Sequence, residues 1–127
     1  MKQARNPDSV HAPVGRYVHQ IEVSSESRML FLSGQVGMEA DGTVPEDPVG
    51  QLGVALQNVL RNLEAAGFEM TDLVKLTTYV VGEVDPAGRR AELDRVLGDH
   101  VTTSTLVIVA ALASPVYKIE VDAWAVR

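Results

Sequence analysis

No cysteine occurs among the 127 residues, which excludes disulfides, thiolate nucleophiles and cysteine-ligated zinc together. Basic charge is also scarce: 11 Lys and Arg stand against 17 Asp and Glu, a formal net charge of -6. Binding to phosphate backbones needs a basic surplus on some face, so nucleic acid is disfavoured as a partner. The opening "MKQARNPDSVHAP" has no apolar stretch of the kind a secretory leader carries, and no apolar run approaches a bilayer crossing. A soluble cytoplasmic protein with no membrane partner is expected. Nucleophile elbows, Walker loops, HExxH helices and dinucleotide fingerprints are all missing. His11, His19 and His100 stand apart in the sequence and show no metal-ligand spacing.

What is present is well punctuated. The length suits one domain spanning residues 1–127, without linker, repeat or low-complexity tract. After a loose polar start, "YVHQIEV" (17–23) and "MLFLSGQV" (29–36) read as strands, with the polar "SSESR" as a hairpin turn between them. Asp47 and Pro48 supply an N-cap and a first-turn proline. Leu52, Leu56, Val59, Leu60 and Leu63 then recur at helical spacing until Gly67 closes the helix. "LVKLTTYVV" (73–81) is β-branched and strand-like. Asp85 and Pro86 repeat the start signal for a second helix, whose buried stripe is Leu93, Val96, Leu97 and His100. "TLVIVAAL" (105–112) and "YKIEVDAWAV" (117–126) finish as strands.

Two helices interleaved with about six strands give an α+β domain, one sheet with both helices on one face. In the last strand Ile119, Val121, Ala123 and Ala125 alternate with Glu120, Asp122, Trp124 and Val126. The first set suits the helix side. The second is amphipathic, and Leu106 and Ile108, in phase with Ser104, are read as extending the same uncovered face. An apolar face without helices needs a partner, and a second copy of the chain is the economical one.

Individual residues support bland readings beside functional ones. Glu120 and Asp122 share a face and form either a polar pair or a reactive carboxylate site. Arg89 and Arg90 read as a solvated helix face. His100 reads as a helix-end residue favoured by the C-terminal dipole.

Order and wording of the segments go further. "APVGRYVHQ", the long run "LFLSGQVGMEADGTVPEDPVGQLGVALQNVLRNLEAAGFEMTDLVKLTTYVV" and the closing "YKIEVDAWAV" follow one another at the spacing of a known pattern. Through them the sequence resembles the Rid family, also called the YjgF/YER057c/UK114 family, over nearly its whole length. The resemblance implies a chorismate-mutase-like, YjgF-type fold, assembled as a homotrimer with small-molecule clefts between subunits. It also implies cofactor-free hydrolysis of reactive imines or enamines to a carbonyl compound and ammonia, as archetypal members do with 2-aminoacrylate. By position, Glu120 would hold the attacking water, Tyr17 would line the cleft, and Gly34 would let backbone approach the ligand.

The stretch "DHVTTSTLVIVAAL" departs from the pattern. Archetypes place a carboxylate-gripping arginine where Ser104 stands, a frequent cysteine where Leu106 stands, and an asparagine where Arg90 stands. A charge-assisted hydrogen bond contributes about 1.5–3 kcal/mol, or roughly ten- to a hundredfold in affinity. Acids of the 2-aminoacrylate type are therefore in doubt as substrates unless Arg16 or Arg90 supplies a relocated cation. Three functions stay open: imine or enamine hydrolysis, non-catalytic binding of a metabolite or partner protein by a trimer, and the endoribonuclease or translation-inhibitor activity some members are named for. The acidic balance makes the last the least favoured.

Overall fold

A computed structural model describes all 127 residues. The strands are β1 (Lys2–Arg5), β2 (Gln20–Val23), β3 (Met29–Val36), β4 (Leu73–Val81), β5 (Thr103–Val109) and β6 (Ile119–Val126). The helices are α1 (Pro48–Ala65) and α2 (Pro86–Leu97). Both helices begin as their residues dictate. Asp47 accepts hydrogen bonds from the Val49 and Gly50 amides, and Asp85 from those of Ala87 and Gly88. Beyond the two helix ends, Gly67 and Gly98 take positive φ of 78° and 55°, a region costly for a residue with a Cβ.

The six strands are divided between two sheets rather than held in one. Four run in the order β3-β6-β4-β5, with β6 antiparallel to both neighbours and β4 parallel to β5. The α2 crossover joins the parallel pair, as parallel strands require. The other two strands, β1 and β2, form their own antiparallel ribbon. The expected hairpin across "SSESR" is thereby corrected. The chain does turn there, with the Ser27 amide on the Ser24 carbonyl, but β2 pairs with β1 while β3 pairs with β6. The polar start is a strand because its amides find β2, and Lys2 Nζ then reaches the Val126 carbonyl and the Asp72 carboxylate. Burial opposes ionisation of Asp72. The Glu69 amide, Lys2 and Arg127 outweigh it and hold its pKa below the usual carboxylate value.

Both helices lie on one face of the four-stranded sheet. Leu52, Leu56, Val59 and Leu63 of α1 join Ile119, Val121, Ala123 and Ala125 of β6 in one fully buried cluster. From α2 only Leu97 is fully buried, with Leu93 and Val96 half covered. That leaves much of this short helix to face outward. His100 lies beyond the helix end, and its Nε2 donates to the Leu73 carbonyl at 3.0 Å. It ties the end of α2 to β4 rather than serving the helix dipole. Gln51, 1% exposed, joins two loops: its amide donates to the Pro45 carbonyl before α1 and to the Val116 carbonyl before β6, and accepts from the Lys118 N–H.

The opposite face carries no helix. Met29, Phe31 and Trp124 stand exposed on it, the last two edge to face at 5.0 Å between ring centroids. Leu106 and Ile108 are not on this face, contrary to the sequence reading. The β4–β5 register pairs Ser104, Leu106 and Ile108 with Leu76, Thr78 and Val80, which places all of them on the helix side. They remain exposed because β5 is the outer strand, at the margin of helical cover.

Candidate functional site

The six residues singled out in the sequence separate into two groups on opposite faces of the sheet. Tyr17, Arg90, Ser104 and Leu106 line one cavity of about 450 Å³ between α2, β5 and the loop preceding β2. Glu120 and Gly34 lie together on the helix-free face.

The cavity is built around α2. Its apolar wall comes from Leu52, Leu76, Leu93, Leu97 and Leu106. Arg16 fastens the Tyr17 loop. Its side chain is 8% exposed, and its guanidinium bonds the Asp94 carboxylate at 2.9 Å and caps the helix end by donating to the Gly98 carbonyl. The Val18 amide then bonds the Thr102 carbonyl, securing the loop to the start of β5. Tyr17 accepts the Val14 amide at 3.2 Å, which leaves its own phenolic proton to donate. Arg90 reaches the same Asp94 carboxylate at 3.3 Å. The two cations proposed from sequence as relocated grips thus share one counter-ion.

The hydroxyl-rich start of β5 is a wall of this cavity, through Thr102 and Ser104. Its lack of charge fits its neighbours, since the cations come from α2 and from the loop. Thr102 is 3% exposed, and its hydroxyl is the one buried side-chain oxygen without a hydrogen-bond partner. Arg89 also lines the cavity, half-buried, although the sequence reading left it on a solvated face. It makes no ion pair or side-chain hydrogen bond, and the doublet with Arg90 gave no sign of which guanidinium would be free.

On the other face, Glu120 sits opposite Tyr79 across β4 and β6. Tyr79 donates to Asp122 at 3.0 Å, and that bond, with the charge of Asp122, pushes the phenol pKa up. Asp122 is thereby occupied. Glu120, half-buried, makes no side-chain hydrogen bond or salt bridge, so the two carboxylates that share a face differ in role. Its carboxyl group lies over Gly34, where an added Cβ would come within 2.6 Å of the carboxyl carbon.

Gly34→Ala should therefore displace the flexible Glu120 side chain while barely changing the melting temperature. Gly37 makes an instructive control, because a Cβ there would meet the Gln51 Cα at 2.6 Å, and backbone cannot step aside. Overpacking of this kind costs about 1–3 kcal/mol. Thermal unfolding of the two variants should show a clear drop for Gly37→Ala alone. An equal drop for Gly34→Ala would mean that Glu120 is held rigidly.

His11 and His19, distant in sequence, have ring centroids 5.0 Å apart. One nitrogen of each is engaged by a main-chain carbonyl, and no group of three or more His, Asp or Glu gathers as a metal-binding set. No helix is long and apolar enough to cross a membrane.

The fold defines a small α+β protein with a cavity on one sheet face and an unpartnered carboxylate on the other. The family model described as Endoribonuclease L-PSP matches residues 8–127, and the chain belongs to this family, the Rid family. It is 35% identical over 124 residues to the 2-iminobutanoate/2-iminopropanoate deaminase of Salmonella typhimurium, covering 94% of each chain. Among solved structures it is similar to the Rid-family protein YyfB of Yersinia pestis, with a TM-score of 0.84 and 30% identity over 98% of this chain and 97% of that one. It is also similar to Escherichia coli TdcF with bound serine, with a TM-score of 0.73 and 31% identity over 91% of each. The α+β, YjgF-type fold expected from the sequence is the fold observed.

Proposed function

We propose that the protein hydrolyses small reactive imines to carbonyl compounds and ammonia in clefts between subunits of a cytoplasmic homotrimer. The observation that carries this reading is the placement of Glu120. It is a half-buried carboxylate with no partner, seated over Gly34, on the face away from the cavity of Tyr17 and Ser104. One copy cannot direct both groups at one ligand, whereas two can. Exposed Phe31 and Trp124 on the helix-free face, and exposed Leu106, Val107 and Ile108 on the unpaired edge strand β5, are the surfaces such an assembly would cover. The sequence identity to an imine deaminase supports the same chemistry.

An imine carbon is already electrophilic, so one oriented water and one proton carrier suffice. Glu120 takes a proton from water as the water oxygen bonds to the C=N carbon. Glu120 passes that proton to nitrogen, giving the tetrahedral carbinolamine. The hydroxyl proton then moves to the amino group by the same carboxylate as the C–N bond breaks, which releases ammonia and leaves C=O. Tyr17, with its proton free, and Ser104 hold the substrate from the cavity side. No metal or cofactor takes part in these steps.

Imines generated in situ by an amino acid oxidase give the test. Ammonia release should be faster with the protein present, and light scattering should give three times the 13.7 kDa chain mass. A stable monomer, or an unchanged rate of imine decay across a panel of imines, would refute the reading.

A further inference from the structure

We propose that Arg89 is the ligand-gripping cation of the cavity and that the cavity takes a monocarboxylate with a branched apolar body. For the reaction, this deepens the imine reading and rests on it. For the binding, it rests on the cavity alone.

Three guanidinium groups line the cavity, and no acidic residue does. Arg16 and Arg90 are both drawn to Asp94, which can neutralise only one of them. Arg89 is left half-buried without a hydrogen bond or ion pair from its side chain. The other acids near it do not compensate. Glu83 and Asp85 border the adjoining depression that Arg89 also lines, yet neither comes within ion-pair distance of it. Asp85 already receives two backbone amides at the start of α2. A partly desolvated cation beside a pocket with surplus positive charge favours an anion, and a guanidinium matches a carboxylate as a two-pronged donor.

The rest of the wall narrows the class. Leu76, Leu93 and Leu106 offer an apolar bed, while the unpartnered Thr102 hydroxyl and Ser104 offer neutral polar contacts. A guanidinium free of any partner beside such a bed suits a carboxylate carried on an apolar body. Within the imine reading the substrate is then a 2-imino acid with a branched aliphatic side chain, its carboxylate held from α2 rather than from β5. The small Ser104 leaves room at β5 for that side chain.

A stable probe is the matching product analogue, 4-methyl-2-oxopentanoate, titrated calorimetrically into the assembled protein. Wild type should bind it, and inorganic phosphate, which has no apolar body to set against the leucines, should compete only weakly. Arg89→Gln should weaken binding roughly ten- to a hundredfold, the range expected for one charge-assisted hydrogen bond. Arg89→Lys should recover part of that, and Arg90→Gln should weaken binding less than Arg89→Gln. Melting temperature should not change in Arg89→Gln, since the guanidinium has no partner to lose. No binding by wild type, equal binding by Arg89→Gln, or equally tight binding of the uncharged 4-methylpentan-2-one would overturn the proposal. Binding through Arg89 without any imine turnover would leave it standing and sink the deaminase reading. Imine turnover indifferent to Arg89 and to the substrate carboxylate would do the reverse.

Discussion

Glu120→Gln is expected to lower imine turnover by about a hundred- to ten-thousandfold, the usual range for one positioned acid–base group. The assembly and its melting temperature should hardly change. Both halves follow from the same fact, that the Glu120 carboxylate bonds to nothing within its own chain. A group with no partner contributes little to the fold, so a neutral amide of nearly the same shape is tolerated. The amide cannot accept a proton from water, however, so the step that generates the nucleophile is lost. Asp122, two residues on, makes the contrast. It accepts the Tyr79 hydroxyl, and changing it to Asn would disturb a bond that already exists. If Glu120→Gln dissociated the trimer, the carboxylate would be an inter-subunit hydrogen-bond acceptor instead. If the variant stayed trimeric and fully active, Glu120 would have no part in the chemistry.

The residues made some of this legible and hid the rest for identifiable reasons. Helix starts could be read because Asp47-Pro48 and Asp85-Pro86 act within three residues of themselves. The two faces of β6 could be read because apolar and polar residues alternate strictly from Ile119 to Ala123. In β5 the same reasoning failed. From Leu106 to Val109 every residue is apolar, so alternation carries no signal, and the face was decided by pairing with β4. The β1–β2 ribbon escaped notice because it is made by pairing across an intervening loop, which a short, mostly polar strand such as Lys2–Arg5 does not announce. Arg89 and Arg90 illustrate a finer limit. Neighbours on a helix point about 100° apart, and which one is free depended on where Asp94 lies. Glu120 and Gly34 were both nameable, but their contact, and the separation of that pair from Tyr17 and Ser104, appear only once the strands are ordered.

That separation supports a direct measurement, made by mixing two inactive proteins. Glu120→Gln keeps the cavity and lacks the carboxylate. Ser104→Trp keeps the carboxylate and fills the cavity from an exposed position on an edge strand, where an aromatic residue is well tolerated. If each cleft takes its cavity from one copy and its carboxylate from the next, an equimolar mixture refolded together has working clefts. Each needs a Glu120→Gln chain on the cavity side, a chance of one half, and a Ser104→Trp chain on the other side, again one half. About a quarter of wild-type activity should therefore return in randomly mixed head-to-tail trimers. Mass spectrometry of the intact assemblies would verify that the chains had exchanged. Recovery near that level is the expected result, and mixed trimers with no activity above either parent would contradict a site shared between subunits.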